Sequence, residues 1–385
     1  MLAIFVTLMI VKNPKEGLIM SNLTPFQTHM KNKNLDLLYI DDPSTVAYLT
    51  GYQSNPHERV LAVLLFQDTL WMIVPALEYA SVKGAVPVDR LISYEDGQSP
   101  WLFLKEALSE EEISIQTVGI HELTLSVTRY RALLSTLEKV TFVDITEMTQ
   151  HLQAIKQAHE IDIMKEAGAL ADLALKIGMD ALKTNITEEE VVSIIESAMK
   201  KRGVKEMSFD TMVLFGSNAA SPHGTPGNNP LQPGQLVLFD LGVVHKGYTS
   251  DVTRTVAYGH VSQQSKDVYQ VVLTAQEQAQ ASVRPGITAG ELDSIARSVI
   301  EEAGYGKFFT HRLGHGLGMS VHEYPNIAPS DQTVIEKGFC FSLEPGIYIE
   351  NEVGVRIEDC IVVTENGCEA FTHTPKDLIT IEVKS

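Results

Sequence analysis

Five side chains of metal-binding types occur in the C-terminal half of this 385-residue chain, each in a strand-like or glycine-bounded run. In chain order they are Asp240, Asp251, His315, Glu344 and Glu358. Four carboxylates and one imidazole form a ligand set for two hard divalent ions rather than one. A chain that gathers these side chains must fold around a concentrated acidic site, and a metal-dependent hydrolase is the leading interpretation.

The first pair of acids flanks a predicted turn. Asp240 lies in LVLFDLGVV and Asp251 in TSDVTRTVA, with His245-Lys246-Gly247 between them. A hairpin centred on that turn places the two aspartates opposite each other, or within one residue of it, with Cβ atoms about 4.5–5.5 Å apart. Paired catalytic metals lie about 3.5–4 Å apart, so one aspartate can chelate while the other bridges. Two solvated hairpin carboxylates are the alternative.

The second pair of acids repeats this arrangement. Glu344 and Glu358 flank the polar segment 350–352, and a hairpin centred there sets the two glutamates opposite each other. Glu344 directly follows an apolar strand, and an unpaired buried carboxylate is strongly unfavourable unless something compensates its charge. A metal would compensate it, whereas a glutamate at an exposed strand end would need no compensation.

Three histidines lie in loops that glycine or proline constrains. His315 and His322 both belong to HRLGHGLGMSVHEYP, and His223 belongs to SPHGTPG. Glycine permits close backbone approach and positive φ, so His315 is a candidate ligand. His223 and His322 are candidates for proton handling. Each of the three can instead be a hydrogen-bonded loop residue.

Composition excludes several classes of partner. The formal net charge is −19, which repels phosphate backbones and anionic lipid, so we expect neither nucleic-acid nor membrane partners. Three cysteines without a CxxC pair argue against a disulfide framework and fit a reducing cytoplasm. At 44% hydrophobic residues, the chain can build two cores of ordinary size.

Residues 1–19 are expected to be a start-site extension. The apolar run 2–11 is far shorter than the ~20 residues of a membrane span, and Lys12 and Lys15 follow it rather than precede it. That charge order is not the order of a signal peptide. We expect Met20 to be the natural start, and the intact mass of the native protein would test this.

The remaining sequence predicts two regions. Residues 20–150 predict an α/β domain, with strands at 35–40, 60–66 and 70–74 and helices at 101–108 and 128–137. Residues 151–385 begin with a long stretch at 151–183 that is rich in Ala, Leu, Ile and Lys with scarcely a breaker, and we expect it to link the two regions and pack on the second. A helix starts at the capping box of Thr187 and Glu190 and ends near Gly203. Strands then dominate, at 211–215, 236–244, 249–257, 339–343, 346–349 and 355–364. Two further helices are predicted at 265–283 and 289–303.

The motifs in this order resemble a known superfamily. SPHGTPG, FDLGVVHKGYTSDVTRT, HRLGHGLGMSVHEYP, SLEPGIY and VGVRIEDC are similar to the metallopeptidases of the pita-bread (creatinase/aminopeptidase) fold, over residues 155 to 380. YLTGYQSNPHERVLAVLLF and IVPALE resemble the N-terminal domain of prolidases and aminopeptidases P. Bacterial Xaa-Pro dipeptidases are the most similar group. The resemblance implies an α/β creatinase-like N-terminal domain and an α+β pita-bread catalytic domain.

The resemblance also implies a role for each ligand. Asp240 would chelate one metal and Asp251 would bridge both, while His315 and Glu344 would bind the other metal and Glu358 would bridge. The family takes manganese, cobalt or zinc, and oxygen-rich ligation favours manganese. A metal-bridging hydroxide would then attack the scissile carbonyl.

Catalytic and substrate-binding roles follow from the same resemblance. Glu344 would carry a proton to the leaving proline nitrogen, and His322 would polarise the carbonyl. His223 would orient or protonate around the leaving group. Arg356 would hold the ligands in place and contact the substrate carboxylate.

One position departs from the pattern of prolidases. Several of them carry an arginine after the HExP motif, where this chain has Asn326. His57 and Arg59 are candidates for the missing carboxylate contact, reaching a neighbouring subunit's pocket in a homodimer. The expected function is hydrolysis of Xaa-Pro dipeptides. The alternatives are an Xaa-Pro aminopeptidase and, less favoured, a metal-free creatinase-like C–N hydrolase or binding module.

Overall fold

The computed structural model describes residues 14–384, and packing divides the chain into two compact units, Met1–Leu152 and Gln153–Ser385. Most of the predicted start-site extension lies outside the described residues, so a start at Met20 stays a prediction. Among the described residues, no helix combines the length and apolar character that crossing a bilayer requires.

The first unit is a mixed six-stranded sheet with helices. Its strands are β1 Leu37–Ile40, β2 Ala62–Leu65, β3 Leu70–Pro75, β4 Arg90–Tyr94, β5 Thr117–Ile120 and β6 Thr141–Asp144. Its helices are α1 Pro14–Lys33, α2 Pro43–Thr50, α3 Ala76–Ala85, α4 Pro100–Glu110, α5 Val127–Leu137 and α6 Thr146–Ala154, the last of which crosses the division. The strand order is β4-β3-β2-β1-β5-β6.

Local chemistry explains these elements. Strands β1, β2 and β3 are apolar along their whole length and buried on both faces, as expected where helices cover a sheet. Asp42 caps α2 by accepting from Thr45 N, and Pro43 occupies the first turn, where its missing N–H costs nothing. The predicted α/β character of this region is confirmed.

The second unit contains helices and antiparallel strands. Its helices are α7 Ala158–Ala181, α8 Glu188–Lys201, α9 Gln263–Ser282 and α10 Ala289–Glu302, with 3₁₀ turns at Gly216–Ala220 and Gly306–Phe308. Its first strands are β7 Met212–Phe215, β8 Leu236–Leu241, β9 Val244–His245, β10 Tyr248–Thr249, β11 Val252–Tyr258, β12 Gly314–Gly316 and β13 Glu323–Ile327. The others are β14 Cys340–Leu343, β15 Gly346–Ile349, β16 Val353–Arg356, β17 Asp359–Val363, β18 Cys368–Ala370 and β19 Thr380–Ile381.

These strands form two sheets and two short ribbons. One sheet has the order β19-β11-β8-β7 and the other has the order β13-β12-β14-β17-β18. The ribbons β9–β10 and β15–β16 extend hairpins that start in those sheets. One apolar core contains α9, α10 and the second sheet, and another contains α7, α8 and the first sheet. The predicted α+β character of this region is confirmed.

The breaker-poor stretch 151–183 is not one continuous helix. The chain leaves α6 at Ala154 and begins α7 at Ala158, because Ile155 forms an antiparallel bridge with Phe339 and Lys156 N donates to Gly338 O. A tertiary contact therefore overrides a sequence with strong helical propensity. The strand predicted over 355–364 is also interrupted, between β16 and β17.

The predicted capping box is confirmed. Thr187 Oγ1 accepts from Glu190 N at 3.2 Å, and the Glu190 carboxylate accepts from Thr187 N at 2.8 Å. Gly203 follows α8 with φ of 90°, which glycine adopts readily. This start and stop chemistry explains why α8 was predicted well from sequence.

Candidate metal centre

The first acidic hairpin, residues 236–258, is called here the Asp ribbon. Its ladder pairs Tyr248 with His245 and Thr253 with Asp240, so its turn consists of Lys246 and Gly247 alone. Both turn residues have positive φ, 48° and 89°, as two-residue hairpin turns of type I′ require. The predicted three-residue turn was therefore wrong.

The shorter turn changes the relation between the two aspartates. Asp240 lies opposite Thr253, two residues from Asp251, so the prediction that the two aspartates lie opposite each other or within one residue of it is wrong. Asp251 is two residues from Thr253, and side chains at even spacing share one face of a sheet. The two aspartates thus share a face as diagonal neighbours.

The second acidic hairpin, residues 340–363, is called here the Glu ribbon. Leu343 pairs with Asp359 and Gly346 pairs with Arg356, which is the register of a hairpin centred on residue 351. The predicted centre is confirmed. Glu344 and Glu358 lie opposite each other where the ladder opens, between β14–β17 and β15–β16.

The opening in the Glu ribbon connects it to other strands. Glu344 N donates to Leu313 O at 2.8 Å, and Glu358 N donates to Thr253 O at 3.1 Å. The Glu358 backbone therefore joins the Asp ribbon, and Thr253 Oγ1 donates to Glu358 Oε2 at 2.7 Å. These contacts bring the acidic pairs of both ribbons together.

Strand β12 supplies His315 between two glycines that the packing requires. A Cβ on Gly314 would overlap Ser342 O, and a Cβ on Gly316 would overlap Tyr324 O. His315 Nδ1 lies 3.1 Å from Gly316 O, which leaves Nε2 directed at the acids. His315 Nε2 lies 3.2 Å from Glu344 Oε1 and 3.8 Å from Asp251 Oδ2.

The chemistry of these donors fits divalent cations. Potential ligand atoms of Asp251, His315 and Glu358 lie within 4.8 Å of one another, and all three residues are buried. Within residues 14–384, three carboxylate oxygens are buried without a hydrogen-bond partner, namely Asp240 Oδ1, Asp251 Oδ1 and Glu358 Oε1. Unpartnered buried carboxylate oxygens are unfavourable unless a cation binds them. All five predicted ligands line one cavity of about 420 Å³.

The four acids differ in the direction and size of their pKa shifts. Burial raises the pKa of Asp251 and Glu358 well above the ordinary range, and neighbouring carboxylates raise both further. Burial also raises the pKa of Asp240, although Arg356 donates to its Oδ2 and opposes the shift. For Glu344, the hydrogen bond and charge of His315 outweigh burial, and the pKa falls to about 2.

The two candidate proton-handling histidines line the same cavity. The His322 ring meets the His315 ring edge-on, with 4.2 Å between centroids. Desolvation in the cavity and the nearby charges of His315 and Arg312 lower the pKa of His322 to about 4. His322 is therefore neutral at pH 7. His223 is exposed at the rim, in the loop after the 3₁₀ turn.

Arg356 is engaged by the protein itself. Its Nε donates to Thr253 Oγ1 at 3.1 Å, one terminal nitrogen donates to Tyr348 Oη at 2.8 Å, and the other donates to Asp240. The side chain is buried. The arrangement fixes Asp240 by a charge-assisted contact.

The sequence interpretation missed His311, which lines the cavity, and Tyr348, which contacts it from behind. His311 Nε2 lies 3.0 Å from Tyr348 Oη, which in turn accepts from Arg356. Both residues lie in motifs that carried ligands, HRLGHG and SLEPGIY, but neither has a spacing that assigns a role. Their positions became evident only from the tertiary contacts.

The other candidate substrate-binding residues lie in the first unit. His57 is exposed with φ of 56°, and Arg59 makes a paired contact with Asp96, with both N–O distances 2.8 Å. Neither lines the cavity of the five ligands. Asn326, in the place of the expected arginine, accepts from Arg312, which does line that cavity.

Comparisons with known proteins identify the family. Residues 162–365 match Metallopeptidase family M24, and residues 23–155 match the Creatinase/Prolidase N-terminal domain. An Xaa-Pro dipeptidase from Lactobacillus helveticus is 43% identical over 366 residues, which are 94% of this chain and all of that protein.

Solved structures agree with this assignment. A prolidase from Pyrococcus horikoshii is 34% identical with a TM-score of 0.85, covering 93% of this chain and all of that one. An X-Pro aminopeptidase from Thermotoga maritima is 28% identical with a TM-score of 0.82, covering 92% of this chain and all of that one. The expected pita-bread architecture is thereby confirmed. The chain belongs to Metallopeptidase family M24 and carries the Creatinase/Prolidase N-terminal domain.

Proposed function

We propose that this protein is a metal-dependent dipeptidase that hydrolyses the imide bond of Xaa-Pro dipeptides. The observation that carries the proposal is the single cavity in which all five candidate ligands meet, with three buried carboxylate oxygens that lack partners. The dipeptidase and prolidase relatives have this same family and fold.

Two divalent ions are proposed as cofactors, with manganese first and cobalt or zinc as alternatives. Asp240, Asp251, His315, Glu344 and Glu358 would hold them. Bound metal would supply a Lewis acid for the scissile carbonyl and a water of lowered pKa. The oxygen-rich donor set supports manganese.

The chain's own side chains would handle the carbonyl and the proton. A neutral His322 can donate an N–H to the carbonyl oxygen as negative charge develops there, and its lowered pKa keeps it neutral. Glu344 would accept a proton at a carboxylate oxygen and pass it to the proline nitrogen. His223, at the exposed rim, would orient or protonate the leaving group.

Arg356 is proposed mainly to hold Asp240, because protein groups already engage its guanidinium. Contact with the substrate carboxylate remains a further proposed role. His57 and Arg59 are proposed to contribute to substrate binding from a neighbouring subunit of a homodimer. Arg59→Ala should then raise KM for dipeptides much more than it lowers kcat, and unchanged kinetics would reject this role.

An Xaa-Pro aminopeptidase is the second candidate. Asn326 in place of arginine favours it, as does the similarity to the Thermotoga enzyme. The metal-free hydrolase or binding module is disfavoured by the presence of all five ligands. Metal analysis of the purified protein tests it, since less than one tightly bound or activating ion per chain would restore it.

The deciding experiment compares substrates side by side. With Mn²⁺ added, we expect hydrolysis of an Xaa-Pro dipeptide and little hydrolysis of Xaa-Pro-Yaa or of the matching Xaa-Ala dipeptide. Equal or faster cleavage of the tripeptide would favour the aminopeptidase instead. A cytoplasmic location is also proposed, supported by three free cysteines, two of them buried.

A further inference from the structure

A buried ion pair lies directly behind the loop that carries His322. Lys156 Nζ lies 2.9 Å from Glu323 Oε2, with the two side chains only 2% and 15% exposed. Burial alone would lower the pKa of Lys156, but the charge of Glu323 outweighs it and raises that pKa. Lys156 therefore keeps its charge at neutral pH, in surroundings where a charge without its partner is unfavourable.

The Glu323 carboxylate also closes the loop around His322. Its second oxygen, Oε1, accepts from Ser320 N at 2.9 Å, so one carboxylate joins both ends of the segment 320–323. His322 lies between those ends. The position of the His322 backbone, and with it that of the imidazole, therefore depends on where this carboxylate is held.

Lys156 is itself fixed by the sheet. Its N–H donates to Gly338 O at 2.9 Å, and Ile155 forms the bridge with Phe339 that interrupts the helices. The chain thus leaves α6 before residue 155 and turns Lys156 inward. Because the Lys156 backbone is anchored, its ammonium group can hold the Glu323 carboxylate in place.

Gly318 packs directly against the pair. A Cβ on Gly318 would lie 2.6 Å from Glu323 Oε2 and 2.8 Å from Lys156 Cε, so a side chain there would displace the ends of both partners. Gly318 O also accepts from Thr249 N at 2.7 Å and from Thr249 Oγ1 at 3.0 Å. The loop is therefore held from two sides, by Thr249 and by Lys156.

We propose that Lys156 and Glu323 are positioning residues for His322, and that they set the reaction rate by aiming its imidazole into the metal cavity. Neither residue lines the cavity, so neither is a catalytic residue. The inference rests on the proposed function, because it requires His322 to act on the substrate. It adds a determinant that lies outside the ligand motifs.

The test is a double-mutant cycle in the Mn²⁺-loaded enzyme. Lys156→Met should lower kcat for an Xaa-Pro dipeptide by about 10–100-fold with KM changed little, as loss of a supporting contact does elsewhere. In a His322→Ala background, the same substitution should lower kcat by no more than about twofold. Lys165→Met, which removes an exposed lysine that pairs with Glu369, is the matched control and should leave kcat unchanged.

Glu323→Gln is measured in parallel, since it keeps the shape of the side chain and protects the test if Lys156→Met does not fold. Its effect on kcat should likewise disappear in the His322→Ala background, with bound metal unchanged. If either substitution lowers kcat equally in both backgrounds, the pair acts otherwise and the inference is overturned. If wild-type enzyme cleaves no Xaa-Pro dipeptide, the proposed function fails instead, which is a separate outcome.

Discussion

The Asp ribbon and the Glu ribbon supply two acids each, but they do so with different geometry. The Asp ribbon keeps one continuous register through a two-residue turn and presents its acids diagonally. The Glu ribbon has its acids face to face, at a gap where each strand bonds to another part of the unit. Similar hairpin sequences therefore position candidate ligands in two distinct ways.

Each ribbon nevertheless contributes one acid with a close nitrogen partner and one without. Asp240 contacts Arg356, and Glu344 lies 3.2 Å from His315. Asp251 has His315 only at 3.8 Å, and Glu358 accepts from the neutral hydroxyl of Thr253. The acids without such a partner, Asp251 and Glu358, have the strongly raised pKa values, so bound cations should stabilise their charged forms most.

The largest expected effect on activity comes from removing Asp251, one of the two acids without a close nitrogen partner. Asp251→Asn should lower kcat by at least about 10³-fold, because an amide supplies no negative charge to hold two cations close together. Metal bound per chain should fall from two to one or fewer. Activity assays and metal analysis check this, with Glu369→Gln, an exposed surface acid, as the control. Two bound ions and near-normal kcat would contradict the proposed bridging role.

A smaller effect is expected where the ribbons join. Thr253→Val removes the hydroxyl that donates to Glu358 and accepts from Arg356, so Mn²⁺ affinity should weaken by about 10–100-fold. Titration of metal-free protein with Mn²⁺ measures this. Thr255→Val is the matched control on the same strand face, because its hydroxyl contacts only the Arg356 backbone. Equal affinities for both variants would show that the joining hydroxyl is unimportant.

The smallest effect, about 1–3 kcal/mol, concerns the stability of metal-free protein at pH 7 and has opposite signs for the two kinds of acid. Glu358→Gln should raise the free energy of unfolding, because it removes a buried charge that lacks a cationic partner. Glu344→Gln should lower it, because it removes the partner of His315. Denaturant titrations with metal chelated compare the two variants. Changes of the same sign in the free energy of unfolding would contradict the distinction between the two kinds of acid.

The pH dependence follows from the same contrast. A raised folded-state pKa at Asp251 and Glu358 means that their contribution to stability is present below the unfolded pKa and is lost as pH rises through the folded pKa. Glu344, with its pKa of about 2, contributes above pH ~4.5 and loses that contribution only as pH falls toward 2. Metal-free protein should therefore lose stability as pH rises above the ordinary carboxyl range, and Glu358→Gln should reduce the loss in denaturant titrations at several pH values.

The sequence predicted the Glu ribbon better than the Asp ribbon for a physical reason. A polar segment centred on Asn351 allows a symmetric three-residue loop, so counting outward finds the correct partners. The Asp ribbon depends on Lys246 adopting positive φ beside Gly247, a conformation that lysine seldom adopts. One residue of error there changed the predicted partner of Asp240.

Long-range contacts explain what else the sequence could not predict. The break at Ile155 depends on Phe339, which lies far along the chain, and nothing local in an alanine- and leucine-rich stretch signals it. The engagement of Arg356 by Tyr348 likewise requires the folded ribbon. Motifs identified which side chains would gather, whereas packing decided how each is held.

The two-residue turn at Lys246-Gly247 limits how this protein can change in length. A one-residue insertion or deletion there that shifted the strand register would move Asp251 to the opposite face relative to Asp240, because side chains alternate along a strand. Only even-numbered length changes would preserve the relative orientation of the two acids. Natural drift and protein engineering alike should therefore conserve the length of this turn more strictly than its composition.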